Sequence, residues 1–309
     1  MDPPPTQRSR PTTTTATSPP ISFIKPPSPS DVALATRTHT QRTFTITSRK
    51  LPILKAGPID ALSARLGIPV PEMIFGDNLV SITHPASGWS ISFSAEPALD
   101  TVDKTGEAGM LRVAYATEWS SSREKTSAGI SEVVRPFDWS YSARYLGDEV
   151  RPAACEEKGD GDGTKRSWGL ETTQEQIPVE LLKRRDPILF ADEVVLYESE
   201  LDDNGISVMS VKVRVMEQRM LLLCRLFMRL DGVVVRVRDT RVYVDFESEV
   251  VIREYTARED GFENVKRNLY MSGLMPDAIT VALRDSNQVA NLLPVVEHSL
   301  ESVCLASKS

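Results

Sequence analysis

The chain has 309 residues, 36 Lys+Arg against 43 Asp+Glu, a formal net charge of -7 and 40% hydrophobic residues, the ordinary make-up of a globular protein. Its mild acidity argues against a general nucleic-acid binder, which needs a clearly basic face. No apolar run reaches the roughly 18 residues of a membrane span, and the nearest, Met220 to Met228, is broken by Arg225.

Residues 1–43 are rich in Pro, Thr and Ser, as in Pro3-Pro4-Pro5 and Thr12 to Thr15. Such a segment buries too little apolar surface to offset its ordering entropy and is expected to be a disordered tail. Arg8 and Arg10 hint at a presequence, but the prolines oppose the amphipathic helix that a presequence needs. Residues 44–309 carry no second compositional break and are expected to form one domain. Pro58, the Leu62/Leu66 pair and Gly67 predict a short helix with a glycine at its end. Leu79 to Thr83 and the Trp89-Ile91-Phe93 alternation predict two strands joined through His84 to Gly88. Leu111, Val113 and Tyr115 alternate in the same way.

The polar, glycine-rich stretch at about 155–176 reads as a surface-loop insertion, followed by a helix from Pro178 and a strand over Ile188 to Tyr197. Met209, Val211, Val213 and Val215 mark the clearest strand. The next places Met220, Leu222, Cys224, Leu226, Met228 and Leu230 on one face, with Arg225, Phe227 and Arg229 opposite. Asp231-Gly232 then predicts a tight turn. Val233 to Val237, Val242 to Phe246 and Val250 to Tyr255 extend the series. Asp285 to Leu305 has helical spacing at Val289, Leu292, Leu293 and Val296, with Pro294 dividing it into two shorter helices as an equal alternative. Several strands at short intervals indicate an antiparallel meander within one domain.

Chemistry-bearing motifs are sparse. His39, His84 and His298 lie far apart, and there is no HExxH, GxSxG, GxGxxG or P-loop pattern. Cys155, Cys224 and Cys304 are scattered without a CxxC pair, which argues against a disulfide framework or thiolate zinc site and fits a reducing compartment. Cys224 reads as a small core residue. Neither cofactor nor metal is expected. Asp160, Asp162, Thr164 and Glu171 fall at EF-hand positions, but Lys165 takes the place that needs glycine. A calcium-binding signalling module is therefore one alternative, and a carboxylate enzyme on a β-rich scaffold is another. Asp231 and Asp239, on one extended strand, would stand ~26 Å apart, too far to cooperate.

The arginines after Gly232 carry more. Val233, Val235 and Val237 share one face of the strand, and Val234, Arg236 and Arg238 share the other. Arg236 or Arg241 can pair internally with Asp231, Asp239 or Glu254. The competing reading is a polar groove for an acidic or carboxylate-ended peptide, which suits the arginine fork.

Five segments then carry a resemblance: Pro71 to Asn78 (PEMIFGDN), Glu132 to Tyr141 (EVVRPFDWSY), Ser210 to Met216 (SVKVRVM), Arg229 to Tyr243 (RLDGVVVRVRDTRVY) and Arg253 to Glu259 (REYTARE). In this order, over about residues 44 to 298, they resemble the TOR signalling pathway regulator-like (TIPRL) family, relatives of the yeast Tap-interacting regulator, in a fungal-type form. The resemblance implies a non-enzymatic, single α+β domain, a curved antiparallel β-sheet meander flanked by helices, that binds catalytic subunits of type 2A protein phosphatases and their type 4 and type 6 relatives, and modulates their assembly or activity in TOR signalling. It also implies a link to an alpha4-like phosphatase-binding protein and a cytoplasmic location, with the nucleus left open. By matching position it points to Asp231, Arg236, Asp239 and Arg241, with Glu254, Tyr255 and Arg258 nearby, as partner-binding residues. Phe75, Asp77, Asp138 and Trp139 lie in matched motifs with structure as their alternative role. The long tail, the expanded loop and Pro97 depart from the animal pattern.

Overall fold

The computed structural model describes residues 28–105, 112–114, 132–134, 137–151 and 169–306. In chain order these form α1 (Pro29–Leu34), β1 (Thr36–Gln41), β2 (Phe44–Arg49), α2 (Ala56–Leu66), β3 (Met73–Ile74), β4 (Leu79–His84), β5 (Trp89–Ser94), α3 (Ala95–Asp100), β6 (Arg112–Ala114), β7 (Glu132–Val134), β8 (Asp148–Val150) and β9 (Glu171–Thr172). They continue with α4 (Val179–Leu182), β10 (Phe190–Ser199), β11 (Gly205–Val215), β12 (Arg219–Leu230), β13 (Val234–Asp245), β14 (Val250–Gly261), α5 (Phe262–Met271), α6 (Pro276–Ala282), α7 (Ser286–Ala290) and β15 (Val295–Cys304). The fold is α+β, as expected, built on two antiparallel open sheets. The larger has the order β3-β10-β11-β12-β13-β14-β15-β9, the smaller β1-β2-β4-β5-β8.

Period-two burial explains why these segments are strands. Phe44 and Ile46 on β2, Val80 and Ile82 on β4, and Trp89, Ile91 and Phe93 on β5 are fully buried, while their neighbours in sequence are half-exposed. They pack in one core with Val194 and Leu196 of β10, Val211 and Val213 of β11, and the Met220-to-Leu230 face of β12. Leu62 and Leu66 bring α2 into that core, and Gly67 ends the helix with a left-handed φ of 72°. Cys224 is buried there, and burial pushes its thiol well up. Asp192 joins the sheets by accepting from Arg37 at 3.1 Å and Ser48 at 2.6 Å, and by pairing with Lys50. Burial pushes Asp192 up, but the Lys50 and Ser48 hydrogen bonds outweigh it and hold the carboxyl below its ordinary value.

Three expectations need correction, the first being the surface loop at about 155–176: residues 152–168 lie outside the described residues, and Glu171–Thr172 pair with β15 as β9, with Leu170 buried beside them. Residues 29–41, expected to lie in the tail, form α1 and β1, and β1 pairs with β2 along its whole length. Ser28 caps α1 through a reciprocal bond with Asp31, so a Pro/Ser-rich stretch also codes a helix start. α7 ends at Ala290, and residues 295–304 then form a strand rather than a helix: Pro294 opposes a further helix, and the edge of β14 meets the backbone bonds of β15. The Asp160–Lys165 part of the calcium-loop pattern lies outside the described residues, and among the described residues no cluster of three or more metal-binding side chains occurs. No helix among them is long and apolar enough to cross a membrane.

Candidate functional site

The β12–β13 hairpin sets the geometry. Gly232, at φ 74°, makes the turn that Asp231-Gly232 predicted. Equal numbers of residues on either side of it then face each other, so Arg225 stands directly across from Asp239. Alternation along β13 sends Val235, Val237, Asp239, Arg241 and Tyr243 to one face and Val234, Arg236, Arg238, Thr240 and Val242 to the other. The first is the outer face, where Val235 and Val237 pack under α5, α6 and α7. The second faces the main core and the segment 137–147.

The seven residues singled out in the sequence therefore divide between two faces. On the inner face, Arg236 donates to Glu259 at 2.5 Å and to Ser142 at 2.9 Å, and Arg238 donates to Glu259 at 2.9 Å. Burial raises Glu259, but its bonds to Arg236 and Arg238 outweigh burial and leave the carboxyl below its ordinary value. Tyr255 is buried there under the Arg144 guanidinium, 5.1 Å from its ring, and burial raises its phenol. Arg253 donates to Glu301 at 2.7 Å and to the Leu146 carbonyl at 3.3 Å. This face holds down the 137–147 segment, whose Tyr145 carbonyl accepts from Thr240 at 2.6 Å. Asp138 shapes the same segment by accepting the Ser140 amide at 3.1 Å. For Arg236 the internal pairing is real, but its acceptor is Glu259, outside the set weighed from the sequence.

The outer face carries a different arrangement. Arg225 grips Asp239 with two hydrogen bonds of 2.7 and 2.8 Å, and its third nitrogen donates to Asn287 of α7 at 2.9 Å. Arg241 stands 3.8 Å from Asp239 and donates to Glu254 at 3.1 Å. His298 of β15 lies 3.1 Å from the other Glu254 oxygen. The result is a ladder of alternating charge across β12, β13, β14 and β15. An apolar cluster under α5 to α7 flanks it on one side, and Tyr243, Ile252 and Ile177 flank it on the other. Asp239 is only 1% exposed, whereas the Arg241 and His298 side chains are 35% and 45% exposed. The ladder thus has a buried root and a solvent-facing end. Arg258, across from Val237, is half-exposed on the same face. Asp231 sits at the hairpin tip, paired with Arg229 at 2.6 Å. The two aspartates considered as a carboxylate pair are thus each occupied by an arginine.

Arg225, Glu259 and His298 were missed as candidates. A symmetric hairpin about Gly232 pairs Arg225 with Asp239 from the sequence alone, so that signal was available. His298 lay within a stretch read as helix, which hid its strand register.

A family model described as the TIP41-like family matches residues 73–266. The chain is 38% identical over 277 residues to the type 2A phosphatase activator TIP41 of Saccharomyces cerevisiae, covering 84% of this chain and 72% of that one. It is 36% identical over 259 residues to the TIP41-like protein of Homo sapiens, covering 84% and 86%. With the type 2A phosphatase activator tip41 of Schizosaccharomyces pombe it shares 31% identity over 257 residues, covering 83% and 94%.

Proposed function

The chain belongs to the TIP41-like family, and from that premise we propose that it is a non-enzymatic regulator that binds catalytic subunits of type 2A-family protein phosphatases through the outer-face ladder. The observation that supports this reading is the run Arg225–Asp239–Arg241–Glu254–His298, which crosses four adjacent strands and ends in solvent. Charges already locked by neighbours present both signs in fixed geometry, so a partner meets them with little ordering cost. The apolar clusters on either side are buried, so they fix the strands that carry the ladder. The reading assigns contact to Arg241, Glu254 and His298, a supporting role to Asp239 and Arg225, and an edge position to Arg258. Arg236 and Tyr255 act from beneath, by shaping the sheet.

Among the finer parts of the proposal are the type 4 and type 6 catalytic subunits as further partners, joint action with an alpha4-like protein, and a place in TOR signalling. The proposed site of action is the cytoplasm, with the nucleus left open. Purified protein mixed with a type 2A catalytic subunit is expected to co-elute on size exclusion. Separate elution, under conditions where a known regulator binds, contradicts the proposal.

A further inference from the structure

A cavity of about 650 Å3 opens at the far end of the helix-covered face, between the β12–β13 hairpin and the α5–α6 pair. Phe262, Ile279 and Leu283 are apolar parts of its lining, and Tyr270 forms part of its wall. Val265 and Leu269 anchor α5 in the core, which leaves Lys266, Arg267 and Tyr270 on the outward side. Its charged lining is Arg229, Lys266, Arg267 and Arg284 against Asp231 and Glu263. Arg229 is paired with Asp231 at 2.6 Å and Lys266 with Glu263 at 3.1 Å. That leaves the exposed Arg267 and Arg284 side chains with no hydrogen bond or ion pair among the described residues.

Most arginines of the large sheet are paired, with Arg214 and Arg258 left without a carboxylate partner among the described residues. Arg225, Arg229, Arg236, Arg238, Arg241 and Arg253 are each paired with a carboxylate, in a chain whose acids outnumber its bases. Two uncompensated guanidinium groups over an apolar lining are therefore a local inversion of the chain's charge. Beside them Tyr270, Met271 and Met275 keep 65%, 78% and 71% of their surface exposed, an apolar rim of the kind that marks interaction sites. Methionine adapts its shape to varied apolar side chains.

We propose that this cavity docks a short acidic peptide segment of a partner protein, with one bulky apolar side chain on Phe262, Ile279 and Leu283 and flanking carboxylates on Arg267 and Arg284. The arginine fork suits carboxylates, the cavity takes the anchor, and Tyr270 forms part of the wall beside it. The site is separate from the charge ladder, and its test needs no phosphatase.

The probe is a fluorescein-labelled ten-residue peptide with a central Phe or Leu flanked by Asp and Glu, compared by anisotropy with the same peptide flanked by Lys. The acidic peptides are expected to bind and the lysine peptides not, with binding weakened by salt. Arg267→Glu/Arg284→Glu is expected to weaken binding at least about tenfold, the scale of one lost charge-assisted contact. The milder Arg267→Gln/Arg284→Gln guards against a folding defect, read from the melting temperature. Arg241→Ala is expected to leave peptide binding intact, and the charge-reversed variant is expected to keep co-eluting with the phosphatase subunit. Equal binding of acidic and lysine peptides, or acidic binding untouched by either arginine pair, overturns the proposal.

Discussion

Removing Asp239 tests whether the ladder has a structural root. Asp239→Ala strips the acceptor from a bidentate Arg225 that is only 12% exposed, and takes away the charge facing Arg241 at 3.8 Å. Losing one partner of a buried pair costs about 3 to 5 kcal/mol. Arg225 keeps Asn287 as an acceptor at 2.9 Å, so the low end applies, about 3 kcal/mol. Urea denaturation followed by circular dichroism reads this as a shift in midpoint at unchanged slope. Arg225→Met/Asp239→Ala removes the stranded charge and keeps most of the apolar stem, so the double variant is expected to recover part of the loss, with a coupling of about 1 to 2 kcal/mol. A cost below about 1 kcal/mol for Asp239→Ala, the scale of a surface pair, or a double variant that loses the simple total of the two, refutes the reasoning. Phosphatase binding lost along with stability in Asp239→Ala carries no information about contact, which is why the solvent-facing end of the ladder is the place to test partner binding.

Other outcomes follow from the same geometry. Leu226→Ala, in the core between the sheets at 1% exposure, is expected to cost about 2 to 5 kcal/mol on urea denaturation. Gly205→Ala would place a methyl group 1.9 Å from the Arg229 carbonyl oxygen, so β11 and β12 must part at that end, and a melting temperature equal to wild type would contradict the register. The Glu259 carboxyl, held below its ordinary value of 4.5, binds its proton more weakly folded than unfolded. Its contribution to stability is therefore present above pH 4.5 and lost as pH falls through the folded value, and Glu259→Gln is expected to flatten that part of the acid unfolding curve.

Much of the fold was legible because its signals are local. The alternation in Met209 to Val215 and Met220 to Leu230 needs only a strand with one buried face, and the structure puts those residues in the core. Gly67 and Gly232 mark a helix end and a turn by backbone requirement alone. The C-terminal strand was hidden because Val289 to Val296 fits helical spacing, and the pairing with β14 that decides the matter lies far away in sequence. The same holds for β1, whose polar sequence becomes a strand only because β2 offers an edge. For the site, strand parity already implied that Arg236 and Arg241 face opposite ways. Motif matching by position overrode that parity and gathered both sides of one sheet into one surface. Glu259 was invisible as a partner because it serves two arginines, Arg236 directly opposite and Arg238 diagonally.

The most direct test of the central claim is the affinity of a type 2A catalytic subunit for wild type and for Arg241→Ala/Glu254→Gln/His298→Ala, by biolayer interferometry, with melting temperatures alongside. Arg241 and His298 are the solvent-facing members of the ladder, and Glu254 bridges them. The account predicts at least about a tenfold loss of affinity, the scale of 1.4 kcal/mol, in a variant that still melts as a folded domain. Wild-type affinity in that folded variant would contradict it.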